Sequence, residues 1–231
     1  MATSTLDNDG DPQTSQLAWH FVDELLKDGS DIPADGEALV FDDPVSICAS
    51  GLHASERIID ALKYAPGNTI CRVECGDVVG RQDDKLVCRS RTIVWRVDAE
   101  DLLRDFARKV ALDVADLWDI PDVVRKFLET GDDNFRVAAR SAARQISRAH
   151  AADEEVQAAA AGEAARAAAA RTHAARATGL AAAWAAAKAA GGGDTWETYN
   201  TLLETMVEEA RQSDDGDELD DWADLEDEFA L

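Results

Sequence analysis

Of the 56 residues between 135 and 190, 28 are alanine. No other feature limits the fold of this chain as strongly. Alanine has the highest helix propensity, so the stretch from about Phe135 to Ala190 must be helical. An unbroken helix of that length would reach roughly 80 Å at 1.5 Å per residue. Gly162 and Gly179 are the positions where it would bend. Alanine buries little area, so such a helix gains modestly from any one contact. It does allow a second helix to approach very closely, in another copy or in its own chain. Arg136, Arg140, Arg144 and Arg148 recur every four residues and form a basic ridge, read as a solvated face rather than a phosphate track.

Length and charge bound the rest. A chain of 231 residues holds one ordinary domain with extensions, or two small ones. Net charge is −24, and it lies at the ends. Residues 1–48 carry 11 acidic side chains against one lysine, and residues 194–231 carry 15 against one arginine. The middle is neutral. Acidic ends of this kind solvate a protein. The functional alternative is mimicry of a nucleic acid, as a lure for a basic partner. Direct contact with nucleic acid or with an anionic membrane is disfavoured by like charge. No apolar run is long enough to span a bilayer and no leader-like segment is seen, which leads to an expectation of a cytoplasmic protein with reduced thiols. Of its four cysteines, Cys71 and Cys75 alternate with Arg72 and Glu74 and should share a buried strand face with Val73. Packing, rather than a metal site, is the reading for them.

Ahead of the alanine-rich stretch the pattern changes to short β-like runs. The expected class is α+β: a small mixed sheet with one helix over residues 16–97, then helices. Residues 1–15 are expected to be disordered. Strands are predicted over Gln16 to Val22, Ala38 to Phe41, Val45 to Cys48, Thr69 to Cys75, a short piece within Gly76 to Gly80, Lys85 to Cys88 and Thr92 to Val97. Ser55 should cap a helix carrying Ile58, Ile59 and Leu62, stopped by Pro66-Gly67. Residues 98–131 read as two helices. Leu102, Leu103, Phe106, Val110, Val114, Leu117 and Trp118 form the first stripe, and Gly131 ends the second. Organisation then follows as 16–131, the alanine-rich 132–190, a docking helix at 194–212 and an acidic tail at 213–231. In that tail Leu219, Trp222, Leu225 and Phe229 fall at spacings of three, three and four, an acidic amphipathic helix suited to a basic groove.

Chemistry concentrates around Gly51-Leu52-His53-Ala54-Ser55, where strands give way to the first helix. His53 and His20 are the titratable groups of interest, with Tyr64 and the Asp83-Asp84-Lys85 turn. The bland readings are a histidine bonded to backbone, a capping serine and a charged turn. No phosphate-binding glycine loop and no metal-ligand motif is present.

The run CASGLHASERIIDALKYAPGNTICRVE (Cys48 to Glu74), with DDKLVCRSRTIVW (Asp83 to Trp95), resembles an uncharacterised domain family of bacteriophages and bacteria. Its members carry an aromatic–basic–Phe start, a Cys-x-x-Gly-Leu/Phe-His-Ala core and a following Tyr-x-Pro-Gly. Many append alanine/arginine-rich helical tails. The counterparts are Trp19-His20-Phe21, Cys48, Gly51, Leu52, His53, Ala54 and Tyr64 with Pro66-Gly67. Ser55 stands where many relatives have cysteine. The likeness covers about residues 16–130; it implies phage or prophage origin and no activity. The order of an early strand histidine, Gly-x-His-x-Ser and a helix is also similar to ADP-ribosyltransferase-like folds. That likeness implies NAD as cofactor, held by His20 and His53, with Tyr64 stacking and Asp83 or Asp84 as the catalytic acid. Trp19, Gly51, Ser55, Tyr64 and Lys85 complete the candidate binding set. The leading expectation is a non-enzymatic accessory module that binds a protein partner or itself through its helices, with no cofactor and no metal. The ADP-ribosyl-transfer enzyme and the acidic mimic are the alternatives.

Overall fold

A computed structural model of the chain describes residues 15–47, 49–152, 155–170, 175–192 and 194–228, with side chains as far as Ser213. The expectation for the N-terminus therefore lies, apart from Ser15, outside the described residues, as does Cys48. The strand-rich part comprises β1 (Gln16–Val22), β2 (Ala38–Val40), β3 (Leu52–Ala54), α1 (Ile58–Leu62), β4 (Thr69–Arg81) and β5 (Leu86–Asp98). The α+β class is the one the sequence predicts.

Local differences have physical causes. Gly76 and Gly80 do not separate two strands; both lie inside β4. A Cβ on Gly76 would stand 2.5 Å from Ser90 Oγ, so this glycine permits close strand approach rather than a turn. The register slips between Val78 and Gly80, next to Asp77 at φ 52°, and this bulge keeps the long β4–β5 pair continuous. Residues 45–47 form no strand. Ser46 and Ser50 instead close a tight loop, with Ser50 Oγ donating to the Pro44 carbonyl at 2.7 Å.

Every pairing is antiparallel, in the order β1-β4-β5-β2, with β3 beside β2 on the same edge of β5. Ser55 then bridges back to β1: Trp19 N–H donates to the Ser55 carbonyl at 2.7 Å, and Ser55 N–H to the Trp19 carbonyl at 2.9 Å. Strands β1, β4, β5 and β3 thus form a ring. Alternation along β1 sends Trp19 and Phe21 to the helices and Ala18, His20 and Val22 the other way. The ring interior holds Ala18, Val22, Cys71, Val73, Cys75, Leu86 and Cys88, all buried.

The helical part comprises α2 (Glu100–Asp113), a 3-10 turn (Ala115–Leu117), α3 (Asp122–Thr130), α4 (Asp133–Ala152), α5 (Val156–Ala168), α6 (Ala175–Ala189) and α7 (Thr195–Glu228). The first apolar stripe is split, because α2 stops at Asp113. Gly131, at φ 67°, ends α3 as predicted.

The alanine-rich stretch is not one 55-residue helix. It is α4, α5 and α6 folded back on their own chain, α5 packing on both α4 and α6, and α6 on α2. Alanine has too little surface to stabilise an isolated rod, and stacking removes that little from water. Ala139, Ala143, Ala161, Ala164, Ala182, Ala183 and Ala186 are each 0% exposed. The two glycines sit inside helices rather than at bends. A Cβ on Gly162 would come within 2.9 Å of Ser147 Cβ, and one on Gly179 within 3.3 Å of the Leu103 carbonyl.

The docking helix and the acidic tail are one continuous helix, α7. Its apolar face, with Tyr199, Leu203, Met206 and Val207 buried, packs on α1, α2 and α6. Asn200 Oδ1 accepts from Ile59 N–H at 3.3 Å, and Tyr199 OH donates to Asp113 at 3.0 Å. Asp60, 1% exposed, bonds Arg57 at 2.6 Å and Lys63 at 2.8 Å; it also faces Trp196 Nε1 of α7 at 3.5 Å.

The His20–His53 cleft as candidate functional site

Where the strand ring closes, a cleft of about 320 Å³ opens between β1, β3 and α1. Strand β1 contributes Trp19, His20 and Phe21. The β3 end contributes His53, Ala54 and Ser55, and α1 with the turn after it contributes Ala61 and Tyr64. Lys27 and Lys85 enter from loops. Six candidate binding and catalytic residues (Trp19, His20, His53, Ser55, Tyr64, Lys85) thus meet in one place.

His53 is oriented by backbone. Its Nδ1 lies 3.1 Å from the Gly51 carbonyl. When Nδ1–H donates there, Nε2 is left with its lone pair. Gly51 is required at that point. It sits at φ +101°, and a Cβ would meet Val87 at 2.7 Å and Val45 at 2.8 Å. Arg91, 8% exposed, donates from Nη1 to the His53 carbonyl at 2.5 Å. Among the described residues no carboxylate pairs with this guanidinium; burial lowers it from the ordinary arginine range, and the neighbouring Cys75, Cys88 and Cys71 oppose that.

Both imidazoles are held neutral. Burial pushes His20 well below the ordinary histidine range, and the charge of Arg91 and the neighbouring His53 add to this. Burial also lowers His53; its bond to Gly51 opposes that, and Lys85, Arg91 and Lys27 push it down further. Three cations thus act on two uncharged rings, and among the described residues no carboxylate lines the cleft.

The acidic candidates stand elsewhere. Asp84 accepts the Tyr64 hydroxyl at 2.7 Å and lies 3.7 Å from Lys63 Nζ, so it positions the tyrosine from behind. Asp83 is exposed and lines no part of the cleft. Lys85 Nζ lies 4.7 Å over the Tyr64 ring. Ser55 does not cap α1. The cap position is Arg57, and the Ser55 hydroxyl donates to the Asp84 carbonyl at 2.8 Å. The serine is used to close the ring and tie the 83–85 turn to it.

Sequence reasoning missed Phe21, Lys27, Ala61 and Arg91. Lys27 reads as an ordinary turn residue. Arg91 is indistinguishable from Arg89 until pairing shows it covered by β2 on one side and β4 on the other. Cys71 and Cys75 are buried in the ring interior, as alternation predicts, and Cys88 joins them. Among the described residues, no three His, Cys, Asp or Glu side chains are grouped to hold a metal ion. No helix among them is long and apolar enough to cross a membrane.

Residues 17–105 match the family model described as a domain of unknown function (DUF7666). The matched part runs from β1 into α2 and includes every residue that lines the cleft, but it is less than half of the chain. No curated protein and no solved structure gives a significant match.

Proposed function

We propose that the strand-rich part is a non-enzymatic binding module for a small anionic ligand with a planar or apolar portion. The observation that carries this is a cleft whose two neutral imidazoles sit among Lys27, Lys85 and Arg91 with no acidic side chain in the lining. The net charge of −24 lies at the two ends of the chain, and the side of this recess formed by His53, Tyr64 and Lys85 belongs to its neutral middle. Its volume of about 320 Å³ lies in the range of small-molecule sites. Trp19, Phe21 and Tyr64 supply apolar wall, and His53 Nε2 and the lysines supply polar anchors.

Burial chiefly holds the rings neutral and the cations add to it; an anion entering the cleft opposes the cations, so binding draws in protons. Calorimetric titration with inorganic phosphate, AMP and ADP-ribose, repeated in buffers of different ionisation enthalpy, measures both affinity and proton uptake. The expected outcome is saturable binding of at least one probe near pH 6.5, with net proton uptake, weakened tenfold or more by Lys85→Ala and by His53→Ala. Absence of binding by all three probes at millimolar concentration, with unchanged His20 and His53 NMR signals, sinks the proposal.

A second reading is NAD-dependent ADP-ribosyl transfer. It is favoured by the meeting of His20, His53 and Tyr64 in one cleft and opposed by the missing carboxylate. Nicotinamide release from NAD, abolished in His53→Ala, would establish it in place of simple binding.

A further inference from the structure

We infer that a trough on the outer side of α4, α5 and α6 receives the acidic C-terminal segment of a second copy of this chain. The trough is two adjoining hollows, about 360 and 450 Å³, that share Glu163, Ala185 and Lys188. Its floor is alanine. Of the large apolar side chains that stand out of the surface of this small-residue bundle, Val156 is 59% and Trp184 56% exposed. They border the two hollows.

The rim is cationic. Arg148 and Lys188 border the trough, and Arg140 and Arg144 continue the ridge along α4. Among the described residues none of these four has a carboxylate within ion-pair distance. The one acid of the lining, Glu163, is already engaged by Arg166 at 2.6 Å and by the Ser147 hydroxyl at 2.9 Å. An apolar floor between cations that no described carboxylate pairs suits an acidic amphipathic helix.

This chain carries such a segment. Residues 214–228 hold ten acidic and no basic side chains, with Leu219, Trp222 and Leu225 three apart. Helix α7 starts beside the trough, where Trp196 packs on Trp184 with ring centroids 5.1 Å apart. It then runs on unbroken to Glu228. Residue 214 is 19 positions along it, or about 28 Å at 1.5 Å per residue. The segment therefore reaches its own trough only by breaking the helix, whereas a second copy offers an intact trough. Reciprocal docking gives two identical contacts and closes as a two-fold dimer.

Light scattering and sedimentation on the full chain at about 100 µM and low salt test the inference. The expected mass is twice 24.9 kDa, returning to 24.9 kDa at high salt. Removal of residues 214–231 yields monomer that loses no more helix than the deleted segment carries, and the pair Arg148→Glu with Lys188→Glu yields monomer with unchanged helix content. Trp222→Ala with Leu225→Ala, which leaves the trough untouched, does the same. The truncated chain keeps a trough and the charge-reversed chain keeps a tail, so mixing them yields a heterodimer. A full chain that is monomeric at that concentration overturns the inference. So does a dimer that survives truncation, or one that is lost only on removing residues 1–14.

Discussion

Replacing Asp60 by asparagine tests how α7 is fastened to the strand-rich part. The Asp60 carboxylate is 1% exposed and lies between Arg57 at 2.6 Å and Lys63 at 2.8 Å. Removing one partner of a buried ion pair costs about 3–5 kcal/mol. Here the two cations keep 38% and 25% of their side-chain surface, so water recovers part of the loss. Asparagine also retains an acceptor for Arg57. Halving the buried figure for this screening gives about 2 kcal/mol. For a chain of this size that is a fall in Tm of about 4–8 °C. The pH dependence is a second signature. Burial pushes the Asp60 carboxyl up, but hydrogen bonds from Arg57 and Lys63 outweigh it and leave it below its ordinary value. Its contribution is present above the unfolded value and is lost as pH falls through the folded one. Urea unfolding followed by tryptophan fluorescence should show a gap between the two proteins that holds from neutral pH into the ordinary carboxylate range and closes below it. A loss under about 0.5 kcal/mol at pH 7, typical of an unremarkable surface change, would refute the fastening role; so would a gap that persists in acid.

His20 is held well below the ordinary histidine range by burial, so the unfolded chain takes up a proton that the folded chain refuses. Stability should therefore fall as pH drops through about 6.5 toward the folded value, and urea midpoints of His20→Gln should lack that slope. Gly51→Ala forces a side chain into φ +101° with Val87 at 2.7 Å, and should cost about 3 kcal/mol in urea unfolding. Ala164→Leu places three extra carbons at a 0% exposed position of α5 and should cost about 1–3 kcal/mol while far-UV helix signal is kept.

Much of this architecture is legible in residue order. β1 spans the seven residues that its aromatic and β-branched run predicts. Gly131 and the glycines after α6 end helices where they should. What is not legible is where glycine serves contact instead of turning. Gly76, Gly80, Gly162 and Gly179 all look like punctuation in the sequence, yet all four sit inside regular elements, and Gly76, Gly162 and Gly179 at close approaches. Alanine hides its destination in a similar way. Its propensity demands helix but its single methyl gives no direction, so three packed helices and one long rod are written almost identically. In the cleft, His20, His53 and Tyr64 announce themselves by type. Arg91 does not, because only strand pairing separates it from Arg89.

Asn200 and Ile59 lie 141 positions apart and meet by a single hydrogen bond. During synthesis the α7 partners of α1 thus leave the ribosome long after α1 itself. At 5–20 residues per second, about 100 residues separate the end of β5 from Asn200, a wait of about 5–20 s. Through that interval the backbone donor of Ile59 and the Asp60 carboxylate face water. A nascent chain arrested before residue 200 should therefore hold its strands but present an unsealed first helix to whatever chaperone or protease arrives first.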